Sequence, residues 1–116
     1  MSYAIKATEI FKEQIESLDK KTKKIIKDKI RLIKENPYRY KKIHSHLFSK
    51  VFRIRLNVRK KETRLIYAII EPNIILVCLL ERKKGYTDLN KYLHKIQQQK
   101  MKELWDNKED KAWENA

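Results

Sequence analysis

Between Val51 and Asn57 the chain reads Val-Phe-Arg-Ile-Arg-Leu-Asn, an alternation of apolar and cationic residues with period two. As a β-strand it puts Phe52, Ile54 and Leu56 on one face and Arg53 and Arg55 on the other. The two guanidinium groups then stand roughly 6–7 Å apart, twice the strand rise. Each is a planar fork of donors that matches a phosphate. A further arginine, Arg64, opens the next apolar run. Arginine turned toward a sheet costs free energy unless an anion meets it. These residues point to a phosphate platform on a rigid sheet.

The elements that must position them follow from the pattern. Tyr3-Ala4-Ile5-Lys6-Ala7 alternates and predicts a short first strand. Thr8 can cap a helix carrying Phe11, Ile15 and Leu18, and Asp19 breaks it or caps the next one. The second helix carries Ile26, Ile30 and Ile33 on one stripe, with Ile25 and Leu32 beside it. It stops at Asn36-Pro37 because the residue before proline is pushed out of the helical region. Residues 37–50 read as a loop. Three strands follow, over residues 51–57, 63–70 and 74–81, joined by short polar turns into an antiparallel meander. The last two are almost continuously apolar, so both of their faces are covered. A final helix begins near Thr87 or Asp88, with an apolar stripe of Leu89, Tyr92, Leu93, Ile96, Met101 and Leu104. The fold class is α+β: two N-terminal helices on a small, mainly antiparallel sheet, in the order β-α-α-β-β-β, with a C-terminal helix. Residues 1–105 form one domain and residues 106–116 a polar, frayed tail in which Trp113 can dock.

Composition narrows the partners. The chain has 116 residues, 41% of them hydrophobic, with one Gly and two Pro, as expected of one small packed domain. The formal net charge is +14, which points to RNA, DNA or another polyanion. No apolar run approaches the roughly 20 residues of a membrane span. Residues 1–10 lack the apolar core of a signal peptide, and one cysteine, Cys78 in an apolar run, cannot form an internal disulfide. A cytoplasmic chain is expected. The positive charge is uneven. Residues 37–64 hold ten Lys/Arg against Glu62 alone, whereas residues 8–35 hold nine against six acidic residues. A polyanion site is therefore expected in the loop and first hairpin, with Lys41, Lys42, Arg59, Lys60 and Lys61 as candidate RNA contacts. The helical lysines read as a solvated face.

Three strings, taken in order, resemble a known family. Phe52-Arg53-Ile54-Arg55-Leu56, Thr63-Arg64-Leu65-Ile66-Tyr67 and Glu81-Arg82-Lys83-Lys84-Gly85-Tyr86 are similar to successive motifs of the RelE/ParE toxin superfamily of type II toxin–antitoxin systems, and Asn36-Pro37 before a basic loop fits as well. The resemblance covers roughly residues 2–92. RelE-like members are ribosome-dependent endoribonucleases that cut mRNA. ParE-like members share the fold, poison DNA gyrase and tend to lack the catalytic residues. The resemblance implies a catalytic set of Arg53, Arg55, Arg64, Arg82 and Tyr86, further RNA contacts from Lys83 and Lys84, and an mRNA interferase. Two strand lysines of familiar members are arginines here, and Glu81 stands where a histidine is common. The alternatives are a ParE-like gyrase poison and a non-catalytic basic RNA- or ribosome-binding module. An acidic, helical antitoxin segment, the ribosome and mRNA are the implied partners. No membrane, small-molecule cofactor or metal is expected.

Metal-free RNA cleavage uses the substrate's own 2′-OH as nucleophile. It needs a base at that hydroxyl, cations on the developing phosphorane and an acid at the leaving oxygen. Arg53, Arg55 and Arg64 suit charge stabilisation, and Arg82 a neighbouring phosphate. Arginine stays protonated at physiological pH and is a poor base. Tyr86, Lys83 or Lys84, and Glu81 if it faces the cleft, are the candidates for proton transfer. His44 and His46 have the i, i+2 spacing of a metal pair on a strand but no third ligand beside them. Tyr38 and Tyr40 suit base stacking or loop-to-core packing, and Tyr67 reads as core. Arg55 and Arg64 can also pair with Glu62 or Glu81 as plain structure.

Overall fold

The structure, a computed structural model, describes residues 3–44 and 50–81 together with Leu89, Leu93, Trp105 and Asp106. Its elements are β1 (Ala4–Ala7), α1 (Glu9–Glu16), α2 (Lys20–Glu35), β2 (Lys41–Ile43), β3 (Val51–Val58), β4 (Lys61–Ile70), β5 (Asn73–Glu81) and β6 (Trp105–Asp106). The strands form one mixed sheet in the order β2-β3-β4-β5-β1-β6. The run β2-β3-β4-β5 is antiparallel, β1 lies parallel to β5, and β6 is antiparallel to β1.

Side-chain caps set where the helices begin. Thr8 is extended, and its hydroxyl oxygen accepts from the Phe11 amide at 3.1 Å. Asp19 does the same for α2, accepting from the Thr22 amide at 2.9 Å. Each cap satisfies one of the amides that a helix start leaves without an intrahelical partner. Phe11 and Ile15 of α1, with Ile26, Ile30 and Ile33 of α2, are buried on one sheet face against Phe52, Ile54, Leu56, Leu65, Tyr67, Ile74 and Leu76. Each such burial stabilises the fold by about 1.5–3 kcal/mol relative to an exposed side chain. The other face buries Val51, Ile66, Ala68, Ile75, Val77, Cys78 and Leu80 against Leu89 and Leu93. Those two leucines are both helical and lie four residues apart in the sequence.

Beyond the end of β1, the outer edge of β5 is completed by α1. The Thr8 amide donates to Leu76 O at 3.1 Å and its hydroxyl to Val77 O at 2.7 Å. Farther along, Gln14 Nε2 donates to Leu79 O at 3.0 Å while its Oε1 accepts from the Leu79 amide at 2.7 Å. A carboxamide thus replaces a missing strand partner.

The structure corrects the sequence reading in two places. Residues 37–50 are not all loop, because Lys41–Ile43 forms edge strand β2. The β3–β4 turn contains only Arg59 and Lys60, since Val58 and Lys61 are already paired. Trp105–Asp106 pairs with β1 as a short strand. Most of the final apolar stripe, and Trp113, lie outside the described residues.

Replacing Gln14 by Leu leaves both backbone groups of Leu79 without their partner. The unfolding free energy is expected to fall by about 1–3 kcal/mol. Urea denaturation should show a lower midpoint at an unchanged slope; an unmoved midpoint contradicts this role. Asp19 offers a second check. Its hydrogen bonds to Thr22, with Arg59 and Lys21 nearby, hold its carboxyl below the usual range. A lowered folded pKa stabilises above the unfolded value and loses that contribution as pH falls through the folded one. Asp19→Asn keeps the cap but should flatten the stability–pH curve below about pH 4. Parallel curves for the two proteins below that pH would refute it.

Candidate functional site

Strand register puts the arginines together. Arg53 pairs with Lys41 on β2 and with Ile66 on β4, while Arg55 lies directly opposite Arg64. Residues facing one another across antiparallel strands project to the same side, with Cα atoms about 4.5–5.5 Å apart. Lys41, Arg53, Arg55 and Arg64 therefore share the sheet face turned away from α1 and α2. Phe52, Ile54 and Leu56, one residue out of step, enter the core on the helix side.

Burial differs along this face. Arg53 is 9% exposed, beside buried Val51 and Ile66. Arg64 is half-buried with its Nε out of solvent, and Arg55 is exposed. Like charges directly opposite one another destabilise a sheet, so an anion between Arg55 and Arg64 would relieve that repulsion. Among the described residues, a carboxylate answers part of that field: Glu62 Oε1 lies 3.8 Å from Arg55 Nε. Arg55 is exposed and Glu62 partly so, so water and salt screen the pair.

The remaining candidates separate. Lys42 is in register with Phe52 and belongs to the opposite face. Lys61 also faces the helix side, where its Nζ lies 3.9 Å from Glu81 Oε1. Glu81 pairs in register with Thr63, two residues from Leu65 on the helix face, so it does not face the arginines and the proton-transfer role considered for it is withdrawn. Arg59 donates Nη2 to Ser17 O at 3.3 Å and so ties the hairpin to the α1–α2 corner. Lys60 is exposed at the tip. Arg59 and Lys60 have φ of 52° and 66°, the left-handed pair that a two-residue hairpin demands and that glycine or asparagine adopts most readily. Arg82, Lys83, Lys84 and Tyr86 lie outside the described residues. The flanking residues are placed: Glu81 ends β5, and Leu89 packs on the arginine face.

The tyrosines of the loop and sheet are structural. Tyr67 is buried, stacks on Phe52 at 5.6 Å between ring centroids and donates its hydroxyl to Pro37 O at 2.6 Å. Burial pushes its pKa well up. Tyr38 meets Phe52 edge-on at 5.8 Å and donates to Glu71 Oε1 at 2.5 Å, and Tyr40 packs against the core. His44 is exposed, and His46 lies outside the described residues.

Sequence reasoning passed over two residues beside the cations. A cavity of about 510 Å³ next to Arg55 is lined by Ile25 and Lys29 of α2 and by Leu56, Asn57 and Glu62. Asn57 continues the period-two pattern of β3 and was findable from it. Lys29 carries no such signal, because only the docking of α2 brings it there.

No protein-family model matches the sequence, and no curated protein matches it. Among solved structures, a double arginine-to-alanine mutant of the E. coli toxin RelE in the free state aligns with a TM-score of 0.66. That match has 17% sequence identity and covers 83% of this chain and 98% of that one. The chain has a RelE-like fold. Two helices packed on one face of a mixed sheet are thus shared, over nearly the whole length of RelE. No helix among the described residues is long and apolar enough to cross a membrane.

Glu62→Gln removes the carboxylate beside Arg55. Anion affinity at this face should rise several-fold, read as sulfate-induced shifts of the arginine side-chain NMR signals. Stability should change by under about 1 kcal/mol, as for other exposed pairs. Weaker anion binding would mean that Glu62 orients Arg55 rather than competing for it.

Proposed function

We propose that this protein is the toxin of a type II toxin–antitoxin system, a RelE-like, ribosome-dependent endoribonuclease of the cytoplasm that cleaves mRNA. The observation that carries the reading is the shared face of Arg53, Arg55 and Arg64 on a RelE-like sheet. In this reading the RNA 2′-OH attacks the adjacent phosphorus, a 2′,3′-cyclic phosphate forms and the 5′-oxygen leaves. Negative charge grows on the non-bridging oxygens as the phosphorane develops. Arginines held by a sheet are already oriented for it, so little reorganisation is needed at the moment of reaction. Arg53, the most buried, would hold one phosphate oxygen from below. Arg55 and Arg64 would close on the phosphate from the open end of the face.

With Glu81 turned to Lys61, the proton transfers fall to Tyr86, Lys83 or Lys84, the candidates carried by the family resemblance. A cluster of cations stabilises tyrosinate or a neutral lysine, which is what a base at neutral pH requires. The ribosome would supply the remaining alignment of the mRNA. A chain of net charge +14 suits an acidic helical antitoxin segment as its inhibitor.

The test is induced expression in a bacterial host, with primer extension on abundant mRNAs. Wild type should arrest growth and create new 5′ ends inside coding regions. Arg64→Ala should lower cleavage by about 10²–10³-fold, the usual loss when one oxyanion donor is removed. Adding Tyr86→Phe should abolish the remainder. Arrest without new ends would turn the reading to a ParE-like gyrase poison, and no arrest with folded protein would leave a basic RNA-binding module.

A further inference from the structure

The two helices that cover the sheet carry opposite charge. α1 has Lys12 against Glu9, Glu13 and Glu16, while α2 has eight Lys/Arg against Asp28 and Glu35. A lysine-biased composition alone would load both. The α2 cations are also ordered in space. Its buried stripe is Thr22, Ile26, Ile30 and Ile33. At 100° per residue, Lys20, Lys24, Lys27, Arg31 and Lys34 fall together on one side of the helix, off the buried stripe and next to Asp28 and Glu35, and all five are exposed. They succeed one another about every helical turn over roughly 21 Å. Asp28 flanks this line, 3.9 Å from Arg31, but both partners are more than half exposed and the pair is weak.

We infer that this outer stripe of α2 is a second RNA-binding surface, gripping the phosphates of a structured RNA on the opposite side of the molecule from Arg53, Arg55 and Arg64. The inference rests on the reading that the protein acts on RNA, but not on its cleavage chemistry. An acidic protein helix would need apolar anchors at helical spacing, and the stripe carries none. An anionic membrane would need an apolar face to insert, and that face of α2 is spent on the sheet. A row of mobile cations one turn apart, without apolar or base-reading groups, suits sequence-independent backbone contact. The corner at Ser17, where Arg59 docks, brings the tip with Lys60 near the start of α2.

The test uses the full-length protein and an RNA duplex of about 16 base pairs, with affinity measured by fluorescence anisotropy between about 50 and 200 mM salt. The quadruple variant Lys20→Gln, Lys24→Gln, Lys27→Gln, Arg31→Gln should keep its fold, since glutamine is a good helix former at exposed positions. Its affinity should fall about tenfold or more, and its log–log salt slope should shrink by about 3. A control removing Lys12, on α1 and off the stripe, should change the slope by far less per charge. Unchanged binding in the quadruple variant overturns the inference. So does an equal loss per charge in the control, or tighter binding to a polyglutamate peptide than to the duplex. Arg64→Ala separates the two proposals, because it should lower cleavage by about 10²–10³-fold while leaving duplex binding near wild type. Cleavage retained in that variant would defeat the catalytic reading and leave the α2 result standing.

Discussion

A strand buried on both faces must have both of its hydrogen-bonding edges filled, and β5 is that strand. Ile74 and Leu76 belong to the helix-side core, and Ile75, Val77, Cys78 and Leu80 to the other. Most of its residues are buried, and an unmade backbone hydrogen bond among them is costly. β4 fills one edge along its length. The other is shared between β1, Thr8 and the carboxamide of Gln14. This requirement fixes where α1 starts, because the threonine that caps the helix also donates to the strand. It fixes the depth of α1 as well, because Gln14 must reach Leu79. The helix layer is thus set by the needs of the central strand as much as by apolar packing.

The arginine face inherits its geometry from the opposite side of the sheet. A slip of one residue between β3 and β4 would exchange Phe52, Ile54 and Leu56 for Arg53 and Arg55. Three contacts and the turn oppose that slip. Phe52 is held between Tyr67, stacked at 5.6 Å, and the edge of Tyr38. Tyr67 is anchored to Pro37 through its hydroxyl. The two-residue turn at Arg59 and Lys60 leaves no slack between the strands. Aromatic packing on the helix side therefore positions guanidinium groups on the other.

Much of this was legible in the sequence because the signals were local. Thr8 and Asp19 announce helix starts through side chains that mimic a backbone acceptor, and Asn36-Pro37 announces a stop. The period-two run of β3 states which residues share a face. The features that escaped depend on partners distant in sequence or on turns of unusual composition. β2 is three residues long with no alternation to read, and it exists only because β3 offers an edge. The turn at Arg59 and Lys60 lacks the glycine or asparagine that marks a left-handed hairpin, so its boundaries were drawn too wide. The orientation of Glu81 depends on its register with Thr63, which single-strand periodicity does not supply. Gln14 reads as an ordinary polar helix residue until the strand it completes lies beside it.

Among the described residues Arg53 is the one buried charged side chain, although the chain bears a net charge of +14. On the proposed reading, burial there would be useful rather than merely tolerated. As a core filler, arginine is poor, since desolvating a guanidinium recovers only part of its cost through contacts. As a phosphate ligand the same burial is an advantage. A side chain already held between Val51 and Ile66 has little rotamer freedom left to lose when an anion arrives, and a low-dielectric floor strengthens the attraction. The exposed cations along α2 have the opposite character, mobile and screened, suited to steering and loose grip. The fold therefore sorts one excess of charge into two physical kinds: a few fixed groups inside the sheet face and many flexible ones outside the helix.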